Sequence, residues 1–241
     1  MTKSKRFREL IDRDRIFVRP SCFDAMSAKI LEANGFEAVG LSGYAVSVSR
    51  LGKPDSGQVT LTESVRMARY ICQSVDLPVM VDADTGYGNA INVMRTVEEM
   101  IGAGAAALFI EDQVEPKRCG HVSGKQIIPV EEAVGKYRAA DRVRRELDAD
   151  FVLMARTDAR GAVGGGFDEA LNRAKAYVDA GVDLVFPEGL LSAEEIHRFT
   201  EELPVPISYN RTGVSPMLSL RELDRLGVRM VANASGMIVV P

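Results

Sequence analysis

The sequence predicts a single (β/α)8 barrel. Eight short apolar, β-rich runs recur at near-even intervals, and amphipathic stretches lie between them. The chain's 241 residues match the ~250 typical of one such barrel. Alternation of strand and helix implies parallel strands joined by crossover helices. Continuous apolar runs fit a sheet covered on both faces.

The first run is IFVRP (16–20). After it, FDAMSAKILEANG closes on Asn34-Gly35, a helix stop. EAVGLSG (37–43) is the second run, and LTESVRMARYICQSV follows with Thr60 and Thr62 as candidate N-caps. LPVMVDAD (77–84) precedes NAINVMRTVEEMIGAG, which ends in glycine. AALFIED (106–112) is followed by PVEEAVGKYRAADRVRREL, whose proline and two glutamates suit a helix N-terminus. DFVLMARTD (150–158) leads through Gly164-Gly165-Gly166, read as a flexible connector, into FDEALNRAKAYVDAG. VDLVFPE (182–188), SAEEIHRFTEEL, VPISYN (205–210), SLRELDRLG and VRMVAN (228–233) complete the series. An open doubly wound sheet would offer G-x-G-x-x-G after its first strand, and RPSCFDA is not that turn. The whole chain, 1–241, is expected to be one domain. Only ASGMIVVP follows the eighth run, where a closed barrel places a last helix. That helix is expected to be missing or supplied by another subunit.

Hydrophobic content of 46% and charged content of 27% are ordinary for a soluble globular chain. A net charge of −4 with no basic block argues against nucleic acid as partner. The charged N-terminus has no secretory pattern, and no apolar run approaches the ~18 residues of a membrane span. The three cysteines, Cys22, Cys72 and Cys119, form no disulfide framework. Cys22 and Cys72 read as free thiols in a reducing cytoplasm.

Barrel chemistry is built at the C-terminal ends of strands. There the runs end in Ser42-Gly43-Tyr44, Asp82 and Asp84, Glu111 and Asp112, Arg156-Thr157-Asp158, Glu188 and Asn210. Asp82 and Asp84 are two apart on a predicted strand, so both should face one side. Like charges so placed repel unless a cation sits between them. Mg²⁺ keeps several waters and takes one or two carboxylates directly, so Asp82, Asp84 and Glu111 together read as a magnesium site. Asp112 and Asp158, each taken alone, read as loop anchors. Zinc is rejected, because Cys119 and His121 have no second Cys/His pair beside the surface-type His197. In the loop Pro116-Lys117-Arg118-Cys119-Gly120-His121 the cations are expected to favour a thiolate. The loop itself reads as a lid over the mouth.

Together SGYAVS, LGKPDSG, VDADTGYGNAINV, IEDQVEPKRCGH and MARTDA resemble the isocitrate lyase/phosphoenolpyruvate mutase superfamily, most closely its short methylisocitrate and dimethylmalate lyases and the petal-death protein. The resemblance runs from about Phe7 to Asn210. It implies a barrel, Mg²⁺ (with Mn²⁺ as the other divalent choice) and a carboxylate substrate. Asp84 would be the nearest metal ligand, with Asp82, Glu111 and Asp55 in or near the shell. Ser42, Gly43 and Arg156 would hold the oxo-acid carboxylate. Cys119 would protonate the departing fragment, with Gly120, His121, Glu188 and Asn210 around it. The implied reaction is carbon–carbon cleavage of a 2-hydroxy di- or tricarboxylate. Phosphonate mutase chemistry, oxaloacetate hydrolysis or decarboxylation, and an inactive paralogue are the alternatives. Two departures stand out. After the seventh run, the lyases' N-M-x-E-x-G-x-T-P is replaced by the shorter Asn210-Arg-Thr-Gly-Val-Ser-Pro216. Arg211 there either recruits a carboxylate or faces solvent. Family members also continue past strand 8 with helices commonly exchanged between paired subunits, so a homo-oligomer, dimer or tetramer, is expected where that C-terminal segment is present or supplied. Tyr44 either narrows the oxo-acid end or points away.

Overall fold

The computed structural model describes residues 1–120, 122–211 and 213–233. Helix and strand alternate in the expected order: α1 (Lys3–Asp12), β1 (Phe17–Cys22), α2 (Ala25–Ala33), β2 (Val39–Leu41), α3 (Gly43–Val46), α4 (Leu61–Ser74), β3 (Val79–Asp82), α5 (Ala90–Ala103) and β4 (Ala107–Glu111). Then come α6 (Val130–Leu147), β5 (Val152–Thr157), α7 (Phe167–Asp179), β6 (Leu184–Pro187), α8 (Ala193–Glu202), β7 (Ser208–Asn210), α9 (Leu220–Arg225) and β8 (Met230–Asn233). The eight strands pair in the order β6-β5-β4-β3-β2-β1-β8-β7, all in parallel. A parallel bridge between Val185 and Ile207 joins the two outer strands and brings the sheet to a nearly closed barrel. The closing residues ASGMIVVP lie outside the described residues.

Local sequence explains the element ends. Thr60 caps α4 and shares a reciprocal box with Glu63, as its position suggested. Asp24 with Ser27, Asn89 with Asn92, and Ser219 with Glu222 do the same for α2, α5 and α9. Gly104, at φ 92, ends α5 in the left-handed conformation that glycine adopts without a Cβ clash.

Strand alternation sorts side chains into two cores. One lies inside the barrel and includes Phe17, Met80, Phe109, Met154, Phe186 and Met230. The larger one lies between the strands and the outer helices. The charged N-terminus gave no sign of structure, yet it forms α1, whose Phe7 and Ile11 are buried against the inner core. The helix is fastened by Lys3 Nζ to the carbonyls of Cys72 and Val75, Ser4 Oγ to Asp148, and Arg8 to Asp183. A second element not foreseen is α3 with the π-helical turn Ser47–Leu51, which directly follows β2. No helix among the described residues is long and apolar enough to cross a membrane.

Candidate active site

At the C-terminal ends of the strands the backbone is shaped for close approach. Ser42 caps α3, its Oγ accepting from the Ala45 amide at 3.2 Å. The Gly43 amide donates to Asp82 Oδ2 at 3.2 Å, and the Asp84 amide donates to Asp82 Oδ1 at 3.1 Å. A β-carbon on Gly43 would stand 2.9 Å from Asp82 Oδ2, so a side chain there would push the acid away. Strand alternation was expected to bring Asp84 to the face of Asp82. Instead β3 ends at Asp82, and Asp84 turns in through a left-handed backbone, φ 48, with Tyr87 at φ 59 just beyond. Non-glycine residues seldom adopt this conformation, and clusters of them mark functional loops.

The acids gather around an ammonium. Lys117 Nζ lies 2.6 Å from Asp84 Oδ1, 2.8 Å from Asp55 Oδ1 and 3.8 Å from Glu111 Oε1. The sequence reading gave this lysine to the thiol. It turns inward because its side chain is buried, and a buried cation needs counter-charges. Burial opposes its charge, but Glu111, Asp84, Asp82 and Asp55 outweigh it and hold the ammonium protonated well above its usual range. Burial pushes Asp84 up to about 6 and Glu111 up to about 8 despite the lysine. The cluster therefore keeps its cation, while burial holds Asp84 and Glu111 above the ordinary carboxylate range.

This donor set suits a hard divalent ion. It is all oxygen, and both carboxylate oxygens of Glu111 are buried without a hydrogen-bond partner. Among the described residues no three acid, His or Cys side chains stand close enough to form a ready coordination sphere. One or two direct carboxylates, with water completing the shell, is the arrangement these positions allow.

Across the mouth, the loop bearing Cys119 is tied down at several points. The Gln113 side-chain amide donates to the Arg118 carbonyl and accepts from the Arg118 amide, both at 2.9 Å. Lys125 Nζ donates to the Gly120 carbonyl and pairs with Asp158 at 3.2 Å. A β-carbon on Gly120 would overlap Arg156 Nη2 and come within 3.1 Å of Glu188, so the loop is pressed onto both side chains. His121 lies outside the described residues.

Arg156 is held from behind. Its Nε and Nη2 donate to Asp158 at 2.9 and 3.1 Å, and its guanidinium lies 5.2 Å from the Phe186 ring centroid. Glu111 Oε2 is 3.4 Å from its Nε and Glu188 Oε2 is 3.6 Å from its Nη2. Burial works against Asp158, but Arg156 and Lys125 outweigh it and hold that carboxyl below the usual carboxylate range. Behind Asp158, Asp112 accepts from Thr157 Oγ1, the Asp158 amide and the Tyr177 hydroxyl at 2.8, 2.9 and 2.7 Å. Both acids are thus anchors, as their positions suggested.

These walls enclose a cavity of about 330 Å³. Ser42, Tyr44, Asp55, Asp82, Cys119, Gly120, Arg156, Glu188 and Asn210 line it, with Gly43, Asp84 and Glu111 behind them. Tyr44 faces in rather than away, and Arg211 is half-buried outside the lining. The sequence reading did not single out Arg19, Ser21, Phe109 or Phe186, which line the same cavity. Their common signal is parity: each stands an even number of residues along its strand from another inward-facing side chain.

A family model described as phosphoenolpyruvate phosphomutase matches residues 7–240. The chain belongs to the phosphoenolpyruvate mutase/isocitrate lyase superfamily. It is 44% identical over 242 residues to the 2,3-dimethylmalate lyase of Eubacterium barkeri, covering 100% of this chain and 82% of that one. It is 46% identical to the 2-methylisocitrate lyase of Aeropyrum pernix, over 93% of this chain and 71% of the relative. It is also 41% identical to the chloroplastic carboxyvinyl-carboxyphosphonate phosphorylmutase of Arabidopsis thaliana, over 95% and 68%. Among solved structures, a 2,3-dimethylmalate lyase superposes with a TM-score of 0.94 at 34% identity, covering 99% of this chain and 80% of that one. An oxaloacetate acetylhydrolase with 3,3-difluorooxalacetate gives 0.93 at 34%, over 98% and 81%. A phosphonopyruvate hydrolase with oxalate and Mg²⁺ gives 0.85 at 33%, over 96% and 80%. This superfamily chain is an enzyme, and two of the three sequence relatives named here are lyases by name.

Proposed function

We propose that this chain is a Mg²⁺-dependent carbon–carbon lyase. Its substrate would be a 2-hydroxy di- or tricarboxylate, and its products a 2-oxo acid and a smaller carboxylate. The observation that carries the reading is one cavity with Cys119 on one wall, the acid cluster on another and Arg156 beside both. Asp84, Asp82, Glu111 and Asp55 would hold the ion. When bound, it would supply Lewis-acid polarisation of the substrate oxygens.

The protein's own groups account for the remaining steps. Arg156, kept rigid by Asp158, binds and orients the substrate carboxylate at C1. The C2 hydroxyl faces the acid cluster and gives up its proton there. The C2–C3 bond then breaks, C2 becomes a carbonyl, and the electron pair stays on C3. Cys119 donates its thiol proton to C3 from the loop that roofs the site. The proton lost from the hydroxyl returns to the sulfur and restores the resting state. With Gly120 pressed on Arg156 and Glu188, the roof keeps water from quenching the carbanion non-selectively.

The test is release of 2-oxo acid from dimethylmalate, methylisocitrate and oxaloacetate, with Mg²⁺ and with chelator. Mg²⁺-dependent release from a 2-hydroxy acid is expected. Turnover of a phosphonate alone would select mutase chemistry, and silence on every substrate would overturn an enzymatic role.

A further inference from the structure

The floor of the cavity carries a charge that this reaction scheme does not use. Arg19, in β1, is 4% exposed and lines the cavity beside Ser21. Phe17, two residues earlier, belongs to the interior core, so strand alternation sends Arg19 inward as well. Its Nε is buried without a hydrogen-bond partner, and among the described residues the guanidinium has no ion pair. Arg156, by contrast, already has three acids around it.

The neighbouring strand is built around this guanidinium. In register, Ser21 pairs with Gly40 of β2. A β-carbon on Gly40 would overlap Arg19 Nη1 and stand 3.4 Å from Ser21 Oγ. Gly40 sits inside a strand and is not among the glycines of positive φ. No turn requires glycine there, but the guanidinium does. On the other side, Arg19 pairs in register with Ala232 of β8, and Ala232 with Asn210 of β7. The Asn210 side-chain oxygen, an acceptor, is also buried without a partner, so Asn210 would meet a carboxylate through its Nδ2 amide. Burial pulls the arginine's pKa down to about 10, with Asp82 giving only partial support. An isolated buried cation is costly, and an anionic ligand removes that cost.

We propose that Arg19, with Ser21 and Asn210, is a second carboxylate receptor, so the substrate carries a carboxylate on its far fragment directed into the barrel between β1, β2 and β8. The proposal rests on the lyase reading and deepens it. Two arginines on separate walls call for two carboxylates, with Phe109, Phe186 and Leu41 around the carbon chain between them.

Calorimetric titration with Mg²⁺ present separates the two ends. Oxalate probes the Arg156 end and succinate the Arg19 end. Wild type is expected to bind both. Arg19→Met should weaken succinate by about 10- to 100-fold, the range for a lost charge-assisted hydrogen bond, and leave oxalate within about threefold. Arg19→Met should also raise the Tm of the ligand-free protein, because it removes an unpaired buried charge without changing volume much. A merely structural arginine would lower it. Gly40→Ala, which displaces the guanidinium, should weaken succinate in the same way, and it decides the matter if Arg19→Met misfolds. Unchanged succinate affinity in both variants would overturn the receptor, as would inorganic phosphate binding more tightly than succinate at this arginine. Failure of wild type to bind oxalate would strike the lyase reading instead.

Discussion

Replacing Asp112 by asparagine tests the support behind the site. The carboxylate accepts from Thr157 Oγ1 at 2.8 Å and Tyr177 Oη at 2.7 Å on one oxygen, and from the Asp158 amide at 2.9 Å on the other. Asparagine keeps the shape but has one acceptor oxygen. Its NH₂ must then face either the Asp158 amide or the two hydroxyls. Turned the better way, it leaves one buried amide unpaired, at about 1–3 kcal/mol, and strips the charge from two further hydrogen bonds. Burial pushes the Asp112 carboxyl up, so removing the charge returns part of the loss. The balance is roughly 2–3 kcal/mol, or a fall in Tm of about 4–12 °C for a domain of this size. Calorimetric melts at pH 7 measure it. Because Asp158 holds Arg156, substrate KM should rise with the fall in Tm. Tyr177→Phe, which removes one donor and leaves two, should cost about 1 kcal/mol, and the double variant should cost less than the sum. A Tm within about 1 °C of wild type for Asp112→Asn would refute the anchoring role.

Cys119→Ser should abolish turnover while leaving oxalate binding intact by calorimetry, since Cys119 lines the cavity but takes no part in the acid cluster. Gly120→Ala should lower kcat, because its β-carbon would overlap Arg156 Nη2 and hold the roof off the site; steady-state kinetics reads this directly. The chelated protein should lose stability as pH rises. Glu111, near 8, and Asp84, near 6, both sit above the ordinary carboxylate range, so the folded state holds protons that the unfolded state has released. This contribution is fully present below about pH 4 and declines as pH rises through 6 and then 8. Added Mg²⁺ should reverse the decline and bind more tightly at higher pH, as melts across pH with and without the ion would show.

The barrel was legible because its strands are short, apolar and evenly spaced, and the site because barrel chemistry gathers where strands end. Other features escaped for definite reasons. In α1 the charged residues hide the spacing of Phe7, Leu10 and Ile11, and no strand precedes it to suggest a crossover. The helix α3 was hidden because SGYAVS continues the apolar character of β2. Asp84 was assigned to the right place by the wrong route, since periodicity cannot foresee a left-handed residue just past a strand. Lys117 was placed in the right loop but turned the wrong way, because a loop has no period to say which side chain points inward. Arg19 was readable from parity with Phe17, but a lone arginine in IFVRP looks like a strand end facing water.

The first helix has a consequence for how the molecule comes to be made. Its partners Cys72, Val75, Asp148 and Asp183 are all synthesised long after it leaves the ribosome. This helix can therefore dock only when most of the chain that follows it has emerged, and until then its apolar stripe has nowhere native to go. Loop-closure entropy of that span makes the docking late as well as slow. Newborn chains should pass through a stage in which chaperone binding at this amphipathic stretch competes with final closure.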